Sequence, residues 1–184
     1  VTSERTPVLY QLMGHGEAEL DSKFKSYMKT TNYDFPQLDL LAPEEESWKE
    51  KIPVTLYTTI LINNPKTDLR DEEYSLLLDY MERGGRMLVL LDYETPDNLQ
   101  NFNRLLSRYG LSYQANGWCV EETNNVVAQV KDAVGKKHGV VFVPKLGEQH
   151  NITSTLTGSN DKLIMMNAVP IQISKSVQRN TQIT

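Results

Sequence analysis

Cysteine is almost missing. Cys119 stands alone among 184 residues, so no internal disulfide can form and no thiolate-based zinc site can be built. Histidine is nearly as scarce: His15, His138 and His150 lie far apart, with no HxxxH or HExxH pair. No metal is therefore expected, and no cofactor. Long hydrophobic runs are absent as well. None approaches the ~20 residues that span a bilayer, and no signal peptide is visible. The chain begins at Val1 without a methionine and closes on a polar tail, which reads as a piece excised from a longer protein. Positive charge is in deficit, with 19 Lys and Arg against 24 Asp and Glu for a net charge of -5. That balance argues against a nucleic-acid surface, which needs clustered Lys and Arg. The one basic patch, Lys136-Lys137-His138, reads as a solvated loop. What is present is a globular balance: 39% hydrophobic and 23% charged residues, in a chain long enough to bury one real core.

The stretch from Asp71 to Asp92 organises the rest. Tyr74, Leu77, Leu78 and Met81 recur at helical spacing, with Glu72, Glu73, Asp79, Glu82 and Arg83 off that stripe, so a helix with one buried face is expected. Gly84-Gly85 ends it. Met87 to Leu91 is apolar without alternation, the pattern of a strand covered on both faces, and Leu77, Leu78, Val89 and Leu90 are expected in the core. Helix, turn and buried strand make half of a βαβ unit, hence a parallel sheet flanked by helices.

Other elements follow in order. Val8 to Met13 reads as a strand, Gly14-His15-Gly16-Glu17 as its exit turn, and Leu20, Phe24, Tyr27 and Met28 as the buried stripe of a helix. Strands are expected at 37–41 and 56–63, the second leaving through Asn64-Pro65-Lys66-Thr67-Asp68, where Asp68 is placed to cap the next helix. Arg70 is an unusual residue just before a helix start. Thr95-Pro96 reads as the start of a further helix with Leu99, Phe102, Leu105, Leu106 and Tyr109 inward and Gly110 as its stop. The signal then weakens: 125–134 fits helix or loop, 140–143 fits a strand, and 171–174 alternates like an edge strand. We expect a single α/β domain over residues 1–184, with a core at 7–111, an insertion at 112–139 and an irregular tail at 175–184.

Each catalytic constellation fails on spacing or partners. Gly117-Trp118-Cys119-Val120-Glu121 resembles a nucleophile elbow, but Glu121 replaces the last small residue that the strained bend requires. Asn151-Ile152-Thr153 fits a glycosylation sequon, a match common by chance. Glu44-Glu45-Glu46 reads as a solvated face, and Trp48 and Trp118 as packing residues. Gly14-His15-Gly16-Glu17 is the best candidate, because glycines between a strand and a helix let backbone amides approach an anion. It is shorter than a dinucleotide fingerprint and lacks a phosphate-loop lysine; the alternative is a tight turn in which His15 bonds nearby backbone. Open parallel sheets bind ligands beyond the carboxyl ends of their strands. Gly14, His15, Gly16, Asn63, Asn64, Asp92 and Tyr93 collect at that edge and form the candidate ligand site.

Taken together, PVLYQLMGHGE, ILINNPKTDLRDEEYSLLLDYMERGGRMLVLLDY and DNLQNFNRLLSRYGL resemble the extracytoplasmic domain of gliding-motility-type (GldG-like) ABC transporter auxiliary proteins, with a fainter continuation through VVFVPKLGEQHNITSTL. The resemblance implies an intraflagellar-transport-like domain. Its implied fold is three-layered, flavodoxin-like and similar to class I glutamine amidotransferases, without their catalytic residues. It further implies a membrane-anchored parent on the periplasmic face of a bacterial inner membrane, with the permease and ATPase of an ABC transporter as partners. The expected function is a non-catalytic binding or scaffolding domain. The alternative is a domain that binds a small molecule or glycan, or a degenerate enzyme, using the crevice near His15.

Overall fold

Aliphatic and β-branched segments alternate with helices along the first part of the chain, and in the computed structural model they pair as a parallel sheet. Residues 6–41, 52–115, 126–131, 137–142, 164–166 and 168–174 are described. The strands are β1 (Val8–Leu12), β2 (Gln37–Leu38), β3 (Thr58–Asn63) and β4 (Met87–Leu90), in the spatial order β2-β1-β3-β4 with every pairing parallel. Helices α1 (Ser22–Thr30) and α2 (Asp71–Glu82) connect them, and α3 (Gln100–Arg108) follows β4. The expected α/β class with a mostly parallel sheet is therefore observed. Parallel neighbours need a long crossover, and a helix is the compact way to make one.

The register sorts the strand residues onto two faces. Tyr10, Ile60 and Met87 stand side by side on one face, and Gln11, Leu61 and Leu88 on the other. The first face carries the core: Leu12, Ile60 and Ile62 of the sheet pack in one cluster with Leu77 and Tyr80 of α2 and Phe102, Leu105 and Leu106 of α3. The second face is less well covered. Leu88 and Leu90 remain 44% and 41% exposed, so β4 is not the doubly buried strand that its composition predicts. An apolar run records what a strand can bury; how many layers cover it is decided by elements elsewhere. Of the four expected core residues Leu77 is fully buried, Leu78 and Val89 are partly buried against the cluster, and Leu90 is exposed.

The α2 stripe is also rotated from its expected position. Glu73, Leu77 and Tyr80 are buried, while Tyr74, Leu78 and Met81 line the rim of the core. The Tyr80 hydroxyl accepts from the Arg86 amide at 3.2 Å, past the turn. Gly84 takes φ 91° there, and a Cβ on Gly85 would lie 2.5 Å from the Tyr80 carbonyl oxygen, so the pair is required by conformation and by space. Helix α3 starts later than Thr95-Pro96 predicts, at Gln100. Its first amides are capped in trans: the Asp68 carboxylate accepts from Asn101 N at 2.9 Å and from Phe102 N at 3.0 Å. Asp68 is thus a cap, but for α3 and not for α2.

Helix α1 differs most from expectation. None of its residues is buried, and Tyr27 of the predicted inward stripe is 68% exposed. Its N-cap is regular, with the Asp21 side chain accepting from Lys23 N and Phe24 N.

The remaining strands are antiparallel. β5 (Leu111–Tyr113) pairs with β9 (Ile171–Ile173), and an Asp92–Ala168 bridge brings the same late segment alongside the end of β4. β6 (Val126–Lys131), β7 (Lys137–Phe142) and β8 (Met165–Met166) form a second sheet. Strand β6 replaces the helix or loop expected there, and Lys137 and His138 belong to β7 instead of a solvated loop. Trp48, Cys119, His150, the Glu44–Glu46 run, the sequon and the tail lie outside the described residues.

Candidate functional site at the carboxyl edge of the sheet

The loops leaving β1, β3 and β4 meet at one edge, as parallel strands require, and each supplies a polar side chain within reach of the next. Gly14 and Gly16 both take positive φ, at 110° and 72°, and fold the β1 exit back on itself so that the His15 ring points inward. A Cβ on Gly16 would lie 3.2 Å from Cβ of Lys66, which is how closely the β1 and β3 loops pass. The His15 carbonyl fixes that approach by accepting from Lys66 N at 2.7 Å and Thr67 N at 3.0 Å.

His15 itself is 4% exposed. Its Nδ1 lies 2.9 Å from Oε1 of Glu17 and its Nε2 lies 3.0 Å from Oε2 of Glu73, while its backbone N–H donates to the other Glu17 oxygen at 2.8 Å. The same Glu73 oxygen accepts from Arg70 N at 2.8 Å, closing the first turn of α2. That bond explains why an arginine is tolerated before this helix: the cap comes from inside it. With a carboxylate on each ring nitrogen, both nitrogens donate and the imidazolium is favoured. The Glu17 hydrogen bond is the main cause and the Glu73 bond adds to it; burial opposes them and loses, so the His15 pKa is raised from 6.5 to about 9. The β1 exit is a tight turn in which the His15 ring meets carboxylates in place of the nearby backbone expected of it.

The other candidate residues form a second, adjoining network. Asn64 adopts φ 54°, a left-handed conformation that asparagine tolerates better than most residues. Its side-chain amide donates to Asp92, and its Oδ1 accepts from the buried Thr95 hydroxyl at 2.8 Å. Asp92 also accepts from Glu94 N at 2.8 Å and lies 3.7 Å from the Lys66 ammonium. Asn63 turns the other way, its amide donating to the Ala18 carbonyl at 2.6 Å, and the Tyr93 hydroxyl donates to Glu94 at 3.0 Å. All seven residues expected at this edge are therefore on it, and each side chain with a polar group is bonded to another protein group. A cavity of about 60 Å³ opens beside them, lined by Gln11, Met13, Glu19, Lys25 and Asn63 among others. Among the described residues no group of three or more His, Cys, Asp and Glu is arranged to hold a metal ion.

Sequence reasoning missed Glu73, Thr95 and Lys66. Glu73, a charged residue off the expected apolar stripe, reads as part of the wet face; its position four residues before Leu77 and seven before Tyr80 is the signal that places it on the buried face.

With this geometry in hand, comparison with known proteins bears on the fold. One solved structure aligns over 91% of this chain and 68% of its own length, at a TM-score of 0.59 and 17% identity. It is the mmIFT52 N-terminal domain. At that identity the likeness concerns the fold alone. No family model matches the chain, and no curated protein does. The resemblance to GldG-like transporter auxiliary proteins is thereby overturned: this structural neighbour is an intraflagellar-transport domain, and no gliding-motility or transporter family model matches. The transporter permease and ATPase, the membrane-anchored parent and the periplasmic location followed from that resemblance only. Short apolar strands and amphipathic helices in this order are dictated by the α/β architecture, so unrelated chains that share the architecture share them too.

Proposed function

We propose that this chain is a non-catalytic binding or scaffolding domain. The observation that carries the proposal is the state of His15. At the edge where an open parallel sheet places its chemistry, the histidine is buried with a carboxylate at each ring nitrogen, so both nitrogens are engaged and neither faces a substrate. The neighbouring Asn64, Asp92 and Thr95 are likewise bonded to one another. The strand order β2-β1-β3-β4 supports a flavodoxin-like description.

A hydrolase and amidotransferase substrate screen tests the proposal. No turnover is expected. Turnover that disappears in His15→Gln while the variant keeps a cooperative melting transition would overturn it.

The cavity beside Gln11 and Lys25 offers a second reading, a small-molecule or glycan site, and its size counts against that reading. Its volume of about 60 Å³ is far below the roughly 300–1,000 Å³ of drug-sized ligand sites. A thermal-shift screen separates the two readings, because a ligand at 100 times its dissociation constant adds about 2.7 kcal/mol of stability.

A further inference from the structure

Two crossovers leave the sheet in opposite directions at one place. β1 runs through α1 to β2 on one side, whereas β3 runs through α2 to β4 on the other, so the loops part between β1 and β3. Where neighbouring crossovers diverge in this way, a parallel sheet leaves a crevice at the carboxyl ends of its strands. The cavity of about 60 Å³ lies at that point, with Met13 after the end of β1 and Asn63 at the end of β3 in its wall. Gln37 and Leu61 flank Gln11 in register on the sheet face opposite the core cluster, and these three with Lys25 of α1 continue the lining.

Two of the polar walls are already fixed. The Gln11 side chain donates from Nε2 to the Phe35 carbonyl at 2.9 Å, and the Asn63 side chain from Nδ2 to the Ala18 carbonyl at 2.6 Å. Because a carbonyl holds each amide nitrogen, each amide oxygen is left as an acceptor with no donor among the described residues. Glu17 adds a buried carboxylate, its side chain 4% exposed, but His15 already answers that charge. Two opposite charges complete the lining. Among the described residues no hydrogen bond or ion pair engages the Glu19 carboxylate or the Lys25 ammonium, although both residues line the same small space.

We propose that this cavity binds a small zwitterion, a free α-amino acid with little or no side chain. The ligand ammonium carries three N–H donors, for which the Gln11 and Asn63 amide oxygens and the Glu19 carboxylate are the acceptors; the Lys25 ammonium meets the ligand carboxylate. A ligand with one charge leaves either Glu19 or Lys25 without its counter-charge, so the pair selects for both ends together. Volume sets the size. A cavity needs roughly 10 to 15 Å³ for each water it holds, so about 60 Å³ takes about four or five water-sized groups, the size of glycine or alanine. The volume that counts against a drug-sized ligand therefore suits this one. The proposal deepens the binding-domain reading and rests on it.

Titration of the isotope-labelled protein with glycine, followed through its amide NMR resonances, tests this. Saturable shifts are expected at residues 11–13, 17–19 and 63, and alanine should reproduce them. N-acetylglycine, which lacks the ammonium, and glycinamide, which lacks the carboxylate, should each bind weaker by roughly tenfold or more. Lys25→Gln and Glu19→Gln should each weaken glycine binding by a similar factor. Glu19 is exposed and Lys25 partly so, and an unchanged melting curve verifies that both variants stay folded. The absence of saturable shifts at tens of millimolar glycine, or shifts confined to residues away from the cavity, would overturn the proposal. So would equal binding of glycinamide or N-acetylglycine, which makes the cavity a site for a single charge, or undiminished glycine binding by the two variants. Loss of this site leaves the binding-domain reading standing, whereas turnover in the substrate screen removes that reading itself.

Discussion

Nε2 of His15 lies 3.0 Å from Oε2 of Glu73, joining the β1 exit loop to the first turn of α2 across 58 positions of sequence, and both side chains are buried. This contact, with its Glu17 counterpart, makes the carboxyl edge a structural clamp.

Removing the histidine should therefore destabilise the domain more than its size suggests. In His15→Ala two buried carboxylates lose their cation, and breaking a buried ion pair from one side typically costs about 3 to 5 kcal/mol. Chemical denaturation should show that loss. Glu73→Gln, which keeps an acceptor for the Arg70 amide, should cost less. An unchanged midpoint for His15→Ala would mean that the clamp contributes nothing to stability.

The clamp also sets a pH dependence. The folded-state pKa of His15, about 9, lies above its ordinary 6.5, so between those values the folded state holds a proton that the unfolded state releases. The stabilisation is fully present below about pH 6.5 and declines as pH rises through about 9. Melting temperature should fall over that window in the parent protein and lose that His15-specific slope in His15→Gln. An imidazole that titrates near 6.5 by NMR would contradict the geometry.

Asp68 should behave as a helix cap although it lies 32 residues before α3 begins. Asp68→Ala removes the acceptor for the Asn101 and Phe102 amides and should cost about 0.5 to 2 kcal/mol, with faster hydrogen exchange at those two amides than at the centre of the helix. Protection that is unaltered at both positions would show that another group caps α3.

The two leucines of the central unit should separate. Leu77 is fully buried, so Leu77→Ala should cost about 2 to 5 kcal/mol. Leu90 is 41% exposed and should cost clearly less. Thermal melts of the two variants decide this, and equal losses would mean that Leu90 is covered in solution.

Gly85→Ala should destabilise by about 1 to 3 kcal/mol, the range for overpacking, because the new methyl would collide with Tyr80. A melting temperature equal to the parent's would show that the turn relaxes freely.

Much of the fold was legible in the sequence because it rests on local rules. Strand composition at Thr58–Asn63, the helical period through Asp71–Glu82 and the glycine stop at Gly84 need no knowledge of the rest of the chain, and together they implied parallel crossovers. The candidate edge was legible for the same reason: residues just after parallel strands must meet at one end of the sheet. What those residues do there was decided by partners distant in sequence. Glu73 reads as a surface acid until His15 arrives, Asp68 reads as the cap of the nearest helix until α3 folds against it, and the stripe of α1 reads as core although none of its residues is buried. Helical period and residue type fix which side chains share a face. Whether that face meets another protein group or water depends on where the other elements stop, and that is a property of the assembled sheet and helices alone.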